Sequence, residues 1–257
     1  YFSAEQKFSE LYQATESREL KQRAVYWRGR TFLEMQLNEQ AVEYLQNEIQ
    51  LFEENWNKGW LAETRAVLAQ HFVEMNNFEA AETELSLALE DLTQKEHKAR
   101  GYFLYGQLLE LNGKLEEAYA AYDRVGKFYQ DYNLLFEANV KKGQVARDLG
   151  RNEESQDLFE SLGRDDKNFT VKADLDYELG RAFQANGEFE AAEQVYTSVL
   201  RNTISKPSVK TSALTYYGLA EINRFYYNDF RMAAAYYDSS SKERAPADEL
   251  PEDFDAQ

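Results

Sequence analysis

The stretches YGQLLELNGKLEEAYAAYDRV (residues 105–125) and LGRAFQANGEFEAAEQVYTSV (residues 179–199) align without a gap. Each reads as a small residue, an apolar run, an Asn-Gly turn, an acid, an alanine and an aromatic. Related copies are RGRTFLEMQLNEQAVEYLQNE (residues 28–48), LAQHFVEMNNFEAAETELSLA (68–88) and KGQVARDLGRNEESQDLFESL (142–162). Internal repetition of this length sets the fold before any single residue does.

Two registers measure the repeat. The small residue in the first half of each copy is Gly29, Ala69, Gly106, Gly143, Gly180 and Gly218, in steps of 40, 37, 37, 37 and 38. A second small residue recurs as Ala4, Ala41, Ala81, Ala118, Ser155, Ala192 and Ala233, in steps of 37, 40, 37, 37, 37 and 41. Apolar residues fall three and four apart on both sides of the turn, which predicts two amphipathic helices per copy. Asn-Gly at 112–113 and 186–187 supplies the left-handed residue that ends the first helix. Gly106 and Ala118 are expected where the two helices approach closely. The residue four after each second small residue (Leu45, Leu85, Tyr122, Phe159, Tyr196, Tyr237) shares its helix face and is expected to fill the gap toward the next copy. A lone hairpin cannot bury both faces, so neighbours must stack.

Composition agrees. The 257 residues are 43% hydrophobic and 14% aromatic, enough for a core, and hold only three prolines and twelve glycines, which favours helix. There is no cysteine, which excludes disulfides, thiolate metal sites and a cysteine nucleophile in this chain. The formal charge of −17 disfavours nucleic acid and acidic lipid as partners. No apolar run approaches the roughly 20 residues of a membrane span. No signal peptide is visible, and a start at Tyr1 suggests an excised fragment whose anchor would lie outside it.

No constellation of catalytic residues stands out. The two histidines, His71 in the first helix of the second pair and His97 read as inter-repeat connection, suit packing or surface roles. Carboxylate pairs at 53–54, 116–117 and 153–154 read as solvated helix faces. There is no phosphate-cradling glycine loop, zinc-binding His-x-x-x-His or Gly-x-Ser-x-Gly elbow. Asn168 in Asn-Phe-Thr matches a glycosylation acceptor, a pattern common by accident. The expectation is a non-enzyme with no metal and no cofactor.

The pattern of Gly or Ala, then Ala, then an aromatic (Gly106, Ala118, Tyr122, Val125; Ala69, Ala81, Leu85, Ala88) resembles the tetratricopeptide repeat superfamily. The step of 37 exceeds that family's roughly 34, the closing proline is absent, and Ser155 replaces an alanine. The resemblance implies an all-α fold, an α-solenoid of stacked antiparallel helix pairs wound as a right-handed superhelix. It would be one solenoid over residues 1–241, with a half-unit at about 1–17 and six pairs, followed by an acidic tail or linker over 242–257.

It further implies that the first helix of each pair lines a concave binding surface. Positions −3, +1 and +4 from each small anchor form that stripe. Its aromatics are Tyr26, Phe103 and Tyr177, its arginines Arg30, Arg147 and Arg181, and its glutamines include Gln70, Gln107, Gln144 and Gln184. In an acidic chain this stripe holds three arginines and one acid, and it suits an extended peptide or a neighbouring helix. It lacks the paired Lys and Asn with which co-chaperones of the superfamily clamp a C-terminal carboxylate.

In the last copy, 15 residues separate Gly218 from Ala233, against 12 between Gly106 and Ala118. The extra three fall by Phe225, Tyr226 and Tyr227, expected to cap the array or meet a partner. AAAYYDSS (residues 233–240), followed by LPEDF (250–254), resembles the repeat end of TPR lipoproteins in the Bacteroidetes type IX secretion and gliding-motility machinery. That resemblance implies a protein-binding scaffold of secretion components, on the periplasmic face of the outer membrane through a lipid anchor. The alternative is a general peptide-binding adaptor or assembly factor, in the cytoplasm or envelope.

Overall fold

A computed structural model gives the structure, which describes residues 1–52, 55–128 and 131–243. Among these residues there are thirteen α-helices and no strand. A single helix, α1 (Phe2–Ala14), precedes six pairs: α2 (Arg18–Glu34) with α3 (Asn38–Phe52), α4 (Lys58–Glu74) with α5 (Phe78–Asp91), and α6 (Lys95–Leu111) with α7 (Leu115–Phe128). The rest are α8 (Tyr132–Asp148) with α9 (Asn152–Arg164), α10 (Lys172–Ala185) with α11 (Phe189–Arg201), and α12 (Val209–Ile222) with α13 (Phe230–Lys242). Every small anchor of the first register lies in a first helix, and every residue of the second in α1 or a second helix. The all-α class and the stacking of antiparallel pairs are as expected. Residues gather into two compact units, Tyr1–Ala138 and Asn139 onward. Of the tail expected over 242–257, Lys242 still belongs to α13; the rest from residue 244, with LPEDF, and the carboxylate pair at 53–54 lie outside the described residues.

Four of the six first helices are long. α2, α4, α6 and α8 each run 17 residues. α10 is shorter, at 14, and is preceded by a 3-10 turn over Asp166–Val171.

A third register appears in the backbone. The turn inside every pair contains one residue with positive φ: Gln36, Asn76, Gly113, Gly150, Gly187 and Asn228. Each stands five residues before the second small residue of its pair. In the first five turns the next N–H returns to a carbonyl five residues back, for example Lys114 to Leu109 at 2.8 Å and Glu188 to Phe183 at 2.9 Å. This six-to-one bond satisfies a helix-end carbonyl that would otherwise lack a partner. Asn-Gly announced two of these turns; glutamine and asparagine adopt the same geometry in others.

The small anchors do what close approach requires. A Cβ on Gly106 would stand 2.6 Å from the Tyr122 ring, and one on Gly143 2.8 Å from Phe159. The aromatic therefore seats first on the glycine of its own pair, where the sequence had placed it only toward the next. Tyr196 does both: it lies against Gly180 of its own pair and within 2.7 Å of a Cβ on Gly218 of the following one. Ser155 stands in for alanine because its buried hydroxyl donates to the Gly143 carbonyl at 2.8 Å. Ser240 does the same with Ala213 at 2.6 Å.

His71 is fully buried in α4, with Nδ1 2.8 Å from Asn38 Oδ1 and Nε2 3.0 Å from the Gly29 carbonyl. Burial pushes its pKa below the ordinary 6.5, opposed by the Gly29 carbonyl and by Glu74. The unfolded chain therefore takes the proton first as pH falls below about 6.5, so this contribution to stability is full above that pH and is lost below it. We expect the urea midpoint to fall between pH 7.5 and 5.5 by more in the wild type than in His71→Gln. Equal falls would rule out the histidine as the source. His97 lies in the first turn of α6, not in a connection, and its Nδ1 is 2.7 Å from Glu63. Asn168 is buried and donates to the Leu162 carbonyl at 2.9 Å, which removes it as an exposed glycosylation acceptor.

Candidate functional site

The stripe on the first helices divides into residues that line clefts and residues held by neighbouring helices. Among the described residues each compact unit has a large cleft lined by first-helix residues. In the first unit a cavity of about 810 Å³ is lined by Tyr26, Trp27, Arg30, Trp60, Glu63 and His97, among others. In the second a cavity of about 790 Å³ is lined by Arg147, Tyr177, Arg181, Tyr217, Phe225 and Tyr226, among others.

The first cleft is built on α2 and α4. Tyr26 is buried, its ring 5.0 Å from Trp27 and 5.6 Å from Trp60. Arg23 covers the other indole, 5.5 Å from the Trp60 centroid. Arg30, one turn beyond Tyr26, is exposed and donates to the Tyr26 hydroxyl at 3.2 Å. The cleft's carboxylate, Glu63, is occupied by His97.

The second cleft is built on α8, α10 and α12. Tyr177 is buried over Tyr196, ring centroids 6.0 Å apart. Burial raises the Tyr177 pKa to about 12, with the Arg181 guanidinium opposing the rise. Arg181 itself is exposed. Arg147 is not: its side chain is 7% exposed and its Nη1 lies 2.5 Å from Glu178 Oε2. Gln144 donates to the other oxygen of Glu178 at 2.9 Å. Two stripe residues of α8 thus converge on one carboxylate of α10, which the sequence reading did not single out.

The remaining stripe residues are scattered. Gln70 is exposed, and Gln107 is half-buried. Phe103 is half-buried against Tyr122, at 5.8 Å. At the +4 positions, Glu110 and Gln184 accept hydrogen bonds from the hydroxyls of Tyr122 and Tyr196. A phenol reaching across the pair from the second helix is invisible to a pattern drawn along the first.

The three inserted residues fall in a five-residue π turn, Asn223–Tyr227, that continues α12. It reaches back to the preceding pair: Tyr226 donates to Glu190 at 2.5 Å and Tyr227 to Glu193 at 2.8 Å. The Tyr226 ring lies 4.5 Å from Phe189. The bond to Glu193 holds the Tyr227 pKa up at about 12. Phe225 remains 64% exposed at the rim of the cleft, with the Arg224 guanidinium 4.8 Å from its ring. Two of the three aromatics are stitching; Phe225 is free surface.

Among the described residues no group of three or more His, Asp or Glu side chains could hold a metal ion, and no helix is long and apolar enough to cross a membrane. The clefts offer aromatic walls and guanidinium groups, which are the means of binding a protein segment.

Comparisons with known proteins agree with this architecture. The tetratricopeptide repeat family model matches residues 67–131 and 140–207, together just over half of the chain. No curated protein sequence matches at a significant level. A TPR repeat-containing protein from Cytophaga hutchinsonii, solved as its C-terminal part, superposes with a TM-score of 0.60 at 17% identity, over 84% of this chain and 77% of that one. PilF of Pseudomonas aeruginosa gives 0.55 at 20% identity, over 93% and 98%. YrrB, described as a TPR protein with an unusual peptide-binding site, gives 0.57 at 14% identity, over 69% and 84%.

Proposed function

Because this chain belongs to the tetratricopeptide repeat family, we propose that its interaction scaffold serves a bacterial envelope complex, of the type IX secretion and gliding-motility kind. Its partners are proteins, bound along the first-helix side of the pairs. The observation that carries the binding side of this reading is the pair of clefts, each with an exposed arginine beside aromatic walls. The envelope assignment rests on AAAYYDSS, which forms most of α13, and on the LPEDF that follows outside the described residues. At the periplasmic face of the outer membrane the scaffold would join secretion components.

The test is partner recovery from the envelope fraction of a gliding bacterium that carries the protein. The variant is Arg30→Glu/Arg181→Glu. Arg147 is left alone, because reversing its charge beside Glu178 would unfold the site rather than report on binding. Secretion components recovered by the wild type and lost from the variant are the expected result. Recovery of cytoplasmic partners instead would favour a general peptide-binding adaptor. Equal recovery of secretion components by both proteins would move the binding surface off the first helices.

A further inference from the structure

We propose that Arg30 and Arg181 are two copies of one receptor for side-chain carboxylates. Each takes an acidic residue of an extended partner segment, whose neighbouring apolar side chain seats on the aromatic wall of the same cleft. The inference rests on the scaffold reading and deepens it by naming the chemistry of the bound segment.

The first support is a recurrence. Tyr-x-x-Gly-Arg occurs at residues 26–30 and again at 177–181. The other four anchors are followed by Gln70, Gln107, Gln144 and Leu219. The two copies are the first helices whose tyrosine and arginine together line a large cleft. Each residue of the pattern has a part. The glycine lets Leu45 or Tyr196 press against the helix, which fixes its position. The buried tyrosine stands one turn before the arginine and lies beside its guanidinium. The arginine is exposed yet held, Arg30 by the Tyr26 hydroxyl and the Trp27 face and Arg181 by Tyr177, so little freedom is lost when it engages a ligand.

Charge supplies the second support. In a chain of formal charge −17 arginines are readily neutralised, and others here are: Arg28 by Glu5, Arg65 by Glu84 and Arg147 by Glu178, each at 2.5 Å. Among the described residues neither Arg30 nor Arg181 has a carboxylate within the 4.0 Å of an ion pair; Glu178 and Asp148 act on Arg181 only from farther off. The cleft carboxylates Glu63 and Glu178 are taken by His97 and by Arg147 with Gln144, and Glu221 accepts from Tyr237 at 3.4 Å. A guanidinium offers five N–H donors in a fork that fits a carboxylate. The strongly acidic exterior opposes a polyanion, so isolated carboxylates set among apolar residues are the anions that fit. The walls match: Trp27 is 41% exposed beside Arg30, and Phe225 is 64% exposed at the cleft of Arg181.

The experiment is titration calorimetry of the full chain at low salt. The probe is the capped peptide Ser-Asp-Phe-Glu-Leu-Asp-Ser, with its Asn/Gln isostere as the control. We expect two equivalents bound by the wild type, one by Arg30→Gln, one by Arg181→Gln and none by the double variant. The isostere should bind about tenfold more weakly or worse, as loss of charge-assisted hydrogen bonds requires. Both substitutions are at exposed positions, and unchanged melting curves confirm that folding is kept. A wild type that binds neither peptide, single variants that keep two equivalents, or equal affinity for both peptides would overturn the proposal. Continued partner recovery with any of those results would leave the scaffold reading standing and remove only this chemistry.

Discussion

Gly180→Val is expected to destabilise the second unit by about 3 kcal/mol or more, among the largest effects of any single substitution on this chain. The Tyr196 ring is 1% exposed and is wedged between two first helices. A Cβ on Gly180 would overlap its edge, and the ring cannot retreat, because on its other side a Cβ on Gly218 would already stand 2.7 Å away. Relief must come from separating α10 and α11, which would break the packing with Ala192 and Val199 in the same cluster. Gly163→Ala is the contrast: its nearest neighbour is the flexible Lys172 Nζ at 3.6 Å, so the helix should gain slightly. Thermal unfolding followed by circular dichroism reads both. A smaller ring should repair part of the damage, so Gly180→Val/Tyr196→Leu should melt above Gly180→Val alone. If Gly180→Val melts with the wild type, the wedge is not what fixes the distance between these pairs.

Glu178→Ala should cost about 3 kcal/mol, within the range for breaking a buried ion pair by removing one partner. The Glu178 carboxylate receives Arg147 at 2.5 Å and Gln144 at 2.9 Å, and the charged side chains are 7% and 15% exposed. Without it the guanidinium stays buried with only Asp148, at 3.6 Å, as counter-charge. Its Nε already lacks a hydrogen-bond partner. Replacing both ends, Arg147→Met with Glu178→Leu, should recover most of the loss, because two apolar groups leave no uncompensated charge. Hydrogen exchange is the appropriate readout, since stability in a repeat array is local: protection should fall in α8 and α10 first. A loss below about 0.5 kcal/mol would place the pair with surface ion pairs, which contribute little. This pair also separates Arg147 from Arg30 and Arg181. All three occupy stripe positions, yet Arg147 holds two helix pairs together while Arg30 and Arg181 are exposed.

The repeat was legible in the sequence because its causes are local. Apolar spacing, the two small-residue registers and the Asn-Gly turns each act within one hairpin, and they placed every helix pair in the structure. The same locality explains what was missed. Gln36, Asn76 and Asn228 adopt left-handed turns without glycine, and after Gln36 and Asn76 the same six-to-one bond closes as after glycine. Phe225, Tyr226 and Tyr227 read as one aromatic group but divide in the structure. Two phenols find Glu190 and Glu193 on the previous pair, 36 and 34 residues away, and Phe225 finds no such partner and stays exposed.

The first-helix stripe shows where the division falls. The sequence by itself determined which residues share a helix face, because that depends only on the 3.6-residue period. It also contained both Tyr-x-x-Gly-Arg copies, whose members stood in the stripe but were not joined. Tertiary structure alone decided which stripe residues are available. Availability depends on what the neighbouring helix brings to each position: a carboxylate at Arg147, a phenol at Gln184 and Glu110, and, among the described residues, no ion pair at Arg30 and Arg181. Those partners lie from 12 to about 30 residues away, at distances fixed by the packing of small anchors against aromatic rings, and no periodicity along one helix encodes them.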